Sequence, residues 1–273
     1  ERYASLTTMK HKRVLRLRII VALMGTANVL PVSDVARGQD DSEPVVRRAN
    51  ADLDGDKRPE WIRVEFIKLT GHSYDRAILE INGQILAVRG VGLEPQFHVV
   101  DIDTTDAFRE IAISEWGPSS DDATHFLRFV AGSIAELGTL PGFWGRQLSA
   151  DGSGSLRTTC RGAILQTWFY PCEFTFDRVR CRFEEAIVRW KPMNTAVTLK
   201  ADLALQAAPD KPELTGVLHA GERATIVRSD DVSWCYIESE TGVRGYFGLI
   251  GGWRIASSGL AVIDVFDGLC MAD

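Results

Sequence analysis

The chain has no apolar run long enough to span a bilayer comfortably, no CxxC pair with zinc spacing, and no helical periodicity sustained over three turns. Its longest apolar stretch, IIVALMGTANVL, is too short for a membrane span. Acidic residues, 37, outnumber the 31 lysines and arginines. The formal net charge is −6, and residues 1–38 carry seven basic and two acidic groups, which leaves −11 for the rest. That balance argues against nucleic acid as a partner. Histidine occurs only five times, and no HExxH or HxH is present, so a zinc hydrolase has no ligand set at the expected spacing. GxSxG and GxxxxGK[ST] are absent too, which removes the nucleophile elbow and the phosphate-cradling loop.

Five cysteines cannot all pair within one chain. Cys160, Cys172 and Cys181 lie close enough for one disulfide, which an oxidising compartment would permit. The competing reading is that most are small buried apolar residues. Cys235, alternating with Trp234 and Tyr236, best fits that second description.

What is present begins with a basic segment from Met9, containing Lys10, Lys12, Arg13, Arg16 and Arg18. The short apolar run follows, then small residues at Ala36 and Gly38. This order predicts a secretory signal peptide cleaved after Gly38, with residues 1–8 upstream of it. A basic amphipathic helix is the competing reading. No cysteine closely follows the apolar segment, so a lipoprotein anchor is not expected. The expected product is secreted or attached to the cell surface and does not span a membrane.

From residue 39 to 192 the chain breaks into short runs such as WIRVEFI, FHVVDID, EIAISE and HFLRFV, separated by Gly, Pro, Asn and Asp. Their length and β-branched or aromatic content predict strands. One pattern recurs: ADLDGDKRPEWIRVEF from Ala51, VDIDTTDAFREIAISE from Val100 and, more faintly, SADGSGSLRTTC from Ser149. A period of about 50 residues is that of blades or arrays. Three units predict either a small or degenerate propeller or a twisted antiparallel assembly with recurring turns. After RWKPMNTAV the texture changes to closely spaced short strands with Gly and Asp turns, which predicts a small barrel over residues 193–273.

The first recurring stretch resembles the calcium-binding turn of FG-GAP or integrin-α-like repeats: Asp52-Leu-Asp54-Gly55-Asp56-Lys57-Arg58-Pro59-Glu60-Trp61-Ile62. The resemblance implies a structural calcium ion held by Asp52, Asp54, Asp56, the Arg58 carbonyl and Glu60, because calcium takes many hard oxygen ligands in a flexible shell. Arg63 stands where an EF-hand needs its terminal Glu, inside a strand, which excludes the helical version. Asp101, Asp103, Asp106 and Glu110 form a second candidate metal loop. Asx hydrogen bonds that merely cap turns are the alternative role for all of these acids.

The stretches Leu203–Val227 and Trp234–Gly248, within residues 193–273, resemble a bacterial Src homology 3 domain. The resemblance rests on Gly216-Val-Leu218-His-Ala-Gly221-Glu222, the strand Trp234 to Ile237, and Gly245-Tyr246. It implies a small β-barrel that binds a cell-wall polymer or a protein or peptide ligand, with Trp234 and Tyr246 as candidate ligand residues. The cluster Trp144, Trp168, Phe169 and Tyr170 is either a groove, with Trp168 as a third candidate, or packing at the junction.

The expected fold is therefore mainly β: a degenerate or small propeller-like antiparallel domain over residues 39–192, then a small Src homology 3-like β-barrel. The expected function is a non-catalytic envelope-binding protein with one structural calcium. The alternative is a cell-envelope hydrolase using an aromatic cleft around Trp168 and a carboxylic acid such as Glu115, Asp121 or Asp122.

Overall fold

The computed structural model describes residues 43–69 and 73–271. The segment expected to be a signal peptide lies outside the described residues. The described chain is mainly β and consists of antiparallel sheets.

Three successive four-stranded sheets come first. β1 (Val45–Ala51), β2 (Glu60–Ile67), β3 (Arg76–Ile81) and β4 (Gln84–Arg89) pair in chain order. β5 (His98–Val100), β6 (Glu110–Glu115), β7 (Ala123–Val130) and β8 (Ser133–Pro141) do the same, as do β9 (Ser149–Ala150), β10 (Ser155–Arg161), β11 (Phe169–Asp177) and β12 (Arg182–Glu185). The three recurring stretches each fall between the first and second strand of their sheet. The β3–β4 hairpin turns at Asn82 and Gly83, with φ of +48° and +85°. Positive φ at both central residues is what a two-residue turn needs to match strand twist, and Asn-Gly supplies it at least cost.

Burial follows from where each sheet lies. In β2 the buried residues Ile62, Val64 and Phe66 alternate with Trp61, Arg63 and Glu65, as in a sheet with one covered face. β6 instead has five consecutive buried residues, Glu110 to Ser114. Ile111 and Ile113 pack with Leu53, Ile62, Val64 and Leu79 of the first sheet, whereas Ala112 packs with Leu156 and Phe176 of the third. The middle sheet is covered on both faces, which is why its sequence reads EIAIS without alternation. Backbone bonds join the sheets in series: Arg109 N–H donates to Leu53 O at 3.0 Å, and Gly154 N–H donates to Ile102 O at 2.9 Å. Thr158 Oγ1 also donates to Pro141 O at 2.7 Å.

The remaining strands are β13 (Lys191–Leu199), β14 (Leu203–Gln206), β15 (Leu214–Leu218), β16 (Arg223–Ser229), β17 (Trp234–Ser239), β18 (Arg244–Ile250), β19 (Arg254–Ile255) and β20 (Phe266–Asp267), with one short helix, α1 (Val262–Val265). They form an open sheet in the order β15-β14-β18-β17-β16-β13-β20, with β19 against β18 and no closed barrel among the described residues. This sheet curls around its own core, which includes Val197, Leu205, Ile226, Cys235, Ile237, Phe247 and Phe266. Burial raises the Cys235 thiol to about 12, so that cysteine behaves as an inert apolar residue.

Cys160 and Cys172 form a disulfide across β10 and β11, with Cα atoms 5.8 Å apart, while Cys181 and Cys270 are free and exposed. The bond lies beside Trp168 and Tyr170, in a small core that meets Met193. It closes a 12-residue separation, for which the chain-entropy estimate is about 3 kcal/mol. Cys160→Ser/Cys172→Ser should therefore melt roughly 6–12 °C below the parent in a non-reducing scan. Adding reductant should lower the parent toward the variant and leave the variant unmoved.

Candidate metal centre and aromatic face

The loop between β1 and β2 is tied by its own carboxylates. Asp52 accepts hydrogen bonds from the N–H of Gly55 at 2.8 Å and of Lys57 at 3.0 Å. Asp54 Oδ1 accepts from Asp56 N–H at 3.1 Å, and Asp56 Oδ1 from Arg58 N–H at 2.7 Å. These are Asx turns, one of the two roles expected for these acids. Gly55 has φ +79°, and a Cβ there would meet Ala107 Cβ at 2.3 Å, so glycine is required where the first loop touches the second. Lys57, in place of the second glycine of the FG-GAP pattern, also takes a positive φ, +68°.

Beneath the loop, Glu60 is 4 % exposed, and its Oε2 accepts Leu53 N–H at 2.7 Å. One carboxylate oxygen each from Asp52, Asp54 and Glu60 lies within 4.8 Å of the others. Oxygens held 2.3–2.6 Å from a common calcium ion stand within about 5 Å of one another. An all-oxygen donor set also suits calcium or magnesium better than zinc. Asp56 is not part of this group; its carboxylate instead closes the turn to Arg58.

The second loop repeats the backbone arrangement with different charge compensation. Glu110 Oε2 accepts Ile102 N–H at 3.2 Å, as Glu60 does from Leu53. Its other oxygen accepts from Arg128 Nε at 2.8 Å, and Arg128 Nη2 lies 3.1 Å from Asp106 Oδ2. Asp103, 1 % exposed, is paired with Arg178 and also accepts from Thr105 N–H and Oγ1. Asp101 is exposed. Two guanidinium groups therefore offset the carboxylates of this loop. Burial alone would raise the Asp103 carboxyl, but hydrogen bonds from Thr105 and Arg178 outweigh it and hold the group low. At Glu110 burial wins over Arg128, and the carboxyl is raised.

Strand length explains the difference between the loops. Arg128 lies directly opposite Glu110 in the β6–β7 register. In the first sheet β3 pairs only as far as Ile81 and then turns at Asn82–Gly83, so no β3 residue is paired with Glu60, and its partner in the register, Ala51 of β1, brings no charge. The third loop keeps only Asp151, whose Oδ1 accepts Ser153 N–H at 2.9 Å in a turn.

On β17 and β18, Trp234, Tyr236 and Tyr246 point away from the core that holds Cys235, Ile237 and Phe247. Tyr236 and Tyr246 are 4.9 Å apart between ring centroids, and Trp190 is 5.4 Å from Tyr246. The Arg228 guanidinium lies 4.9 Å from the Tyr236 centroid and 5.3 Å from that of Trp190, and its Nη2 donates to Tyr246 Oη at 2.9 Å. Stacking of this kind fixes both the rings and the guanidinium plane. The two sequence candidates thus share one face with Trp190, Arg228 and Tyr236. Tyr236 was readable from the alternation in WCYIES. Trp190 and Arg228 reach the face only through folding. Trp168 is elsewhere: it is 4 % exposed, donates its indole N–H to Ile164 O at 3.1 Å, and packs on Tyr170.

The carboxylates considered for hydrolysis are engaged in structural contacts. Glu115 Oε2 accepts Val91 N–H at 2.8 Å, and Oε1 lies 3.5 Å from His125 Nε2. Burial would raise its carboxyl, but the neighbouring His125 and the hydrogen bond from Val91 N–H hold it low, the opposite of what a general acid needs. Asp121 pairs with Arg161, and Asp122 accepts from Gly117 N–H and Gln147 Nε2, each at 3.2 Å. Among the described residues no helix is long and apolar enough to cross a membrane. No protein-family model, curated protein or solved structure matches the chain.

Arg128→Met should leave the buried Glu110 carboxylate uncompensated, at a cost of about 3–5 kcal/mol. Because the Glu110 carboxyl is raised in the fold, its protonated form favours folding at low pH, and that contribution is lost as pH rises through the folded value. Without Arg128 the rise is larger, so the deficit of the variant should shrink between neutral pH and pH 5 in urea titrations. Glu110→Gln/Arg128→Met should recover part of the loss at neutral pH.

Proposed function

We propose that this is an exported, non-catalytic binding protein. Its first sheet is braced by a structural calcium ion, and its C-terminal Src homology 3-like module presents an aromatic face to a cell-envelope polymer or a protein partner. The contrast between the two loops carries the calcium reading: the second meets its carboxylates with Arg128 and Arg178, whereas Asp52, Asp54 and Glu60 converge with no such side chain opposite Glu60. Three carboxylates this close repel one another unless a cation offsets them. In the absence of the ion, the Asx turns and the Leu53–Glu60 bond still give the loop its path. The three meanders with a loop at the same place in each support a propeller-like relationship among the sheets. The Cys160–Cys172 disulfide supports an oxidising compartment.

The binding reading rests on Trp190, Trp234, Tyr236 and Tyr246 sharing one outward face with Arg228. Tyrosine, tryptophan and arginine are the side chains that dominate recognition surfaces, because they bring large contact area with little rotamer freedom to lose.

Extracellular modules commonly bind calcium at about 10⁻⁴ to 10⁻³ M. At ten times the dissociation constant, mass action adds roughly 1.4 kcal/mol, so calcium in that range should raise the parent melting temperature by about 3–6 °C. Asp54→Ala should show no rise, and an unshifted parent would end the calcium reading. For the aromatic face, the full chain should co-sediment with purified peptidoglycan, and Tyr236→Ala should weaken the association about tenfold. A parent that stays in the supernatant would exclude that polymer as the ligand.

A further inference from the structure

A cavity of about 550 Å³ lies where the second and third sheets meet, apart from both the metal loop and the aromatic face. Its walls come from the β6–β7 connection, the outer edge of β8 and the paired ends of β10 and β11. The volume is within the range of small-molecule sites.

The polar groups in it are held by one another. Arg161 pairs with Asp121 and reaches Thr167 Oγ1 at 3.4 Å. Asp122, 8 % exposed, accepts Gln147 Nε2, and Gln147 Oε1 in turn accepts Phe143 N–H at 3.0 Å. Side chains fixed in this way lose little freedom when a ligand arrives. Beside them the Phe169 ring, 40 % exposed, offers a flat apolar surface. At the rim Ser119 and Ser120 both take left-handed backbone angles, φ +54° and +64°, in a tight turn closed by Asp121 N–H to Pro118 O at 3.0 Å. Consecutive residues in that region are uncommon and cluster at ligand sites.

These features restrict the ligand. Two carboxylates against one guanidinium disfavour an anion, and the mix of fixed acceptors and donors matches groups that both give and take hydrogen bonds. Sugar hydroxyls do this, since they can donate to Asp121 and Asp122 and accept from Arg161 and Gln147. A pyranose also has an apolar C–H face that stacks on an aromatic ring. We propose that this cavity binds a pyranose unit of an uncharged glycan, with Phe169 as the stacking surface and Asp122, Gln147 and Arg161 as the hydroxyl partners.

Saturation-transfer NMR on the full chain with N,N′-diacetylchitobiose, cellobiose and lactose tests this directly. At least one saccharide should receive saturation, and calorimetry should then show Phe169→Ala weakening it at least tenfold. Thr159→Arg, which fills the cavity from an exposed strand position, should abolish binding, while Ile85→Ala, at an exposed position of the first sheet away from both the cavity and the aromatic face, should leave it unchanged. Melting curves on the variants separate lost binding from lost fold, and if Phe169→Ala melts early, Thr159→Arg decides. No transfer to any of the three saccharides, undiminished binding in Thr159→Arg, or binding of a tri-alanine probe here instead would overturn the proposal.

Discussion

Two buried glutamates organise the N-terminal sheets. Glu60 and Glu110 each begin the second strand of a sheet, and each accepts the backbone N–H of the apolar residue at the start of its loop, Leu53 or Ile102. That single bond fixes where the chain reverses. It also drives Leu53 and Ile102 into the space between sheets, where both are fully buried. The carbonyls of these same residues then accept from Arg109 and Gly154 in the following loop. One carboxylate thus sets a turn, a core residue and a link to the next sheet. An ionised carboxylate in such a place must have its charge offset, because removing it from water otherwise costs more than the bond returns.

The protein meets this requirement differently in each unit. At Glu110 the cation is covalently part of the chain, since Arg128 lies across the strand pair and stacks between Phe108 and Phe176. At Glu60 the opposing strand has already turned, and the nearest carboxylates are the acids of the loop itself. The third unit begins its second strand with Ser155, whose hydroxyl pairs with Glu173 at the surface. No carboxylate is buried there, and no cation is needed. The three loops share a place in their sheets but differ in how the charge at the start of the second strand is met.

Local patterns made much of this legible. The alternation in WIRVEF gives one buried face, the fifty-residue recurrence locates three equivalent loops, and the Asp52, Asp54 and Glu60 spacing marks the converging carboxylates. What stayed hidden depends on distance along the chain. Arg128 and Arg178 reach the second loop from other strands and hairpins, so the residues around Asp101 looked like a weaker copy of the first loop rather than one already neutralised. Arg128 reads as part of an ordinary strand, HFLRFV, until the register places it opposite Glu110. The aromatic face has the same character: WCYIES shows two of its rings, while Trp190 and Arg228 come from before β13 and from β16. Trp168 carries the opposite lesson, because an aromatic run next to a domain change reads equally well as groove or core. Its hydrogen bond to Ile164 places it in the core.

An ion at the first loop would act beyond that loop. Gly55 lies against Ala107, and Leu53 O holds Arg109 N–H, so the first loop packs directly on the second. Ordering Asp52, Asp54 and Glu60 around a cation would therefore also order the start of β6, the strand covered on both faces. Since Glu110 begins that strand, a metal bound at the first loop and the arginine in the next unit would restrain neighbouring points on the same interface. Charge compensation in adjacent loops would then be coupled through the Gly55–Ala107 packing and the Leu53–Arg109 backbone bond.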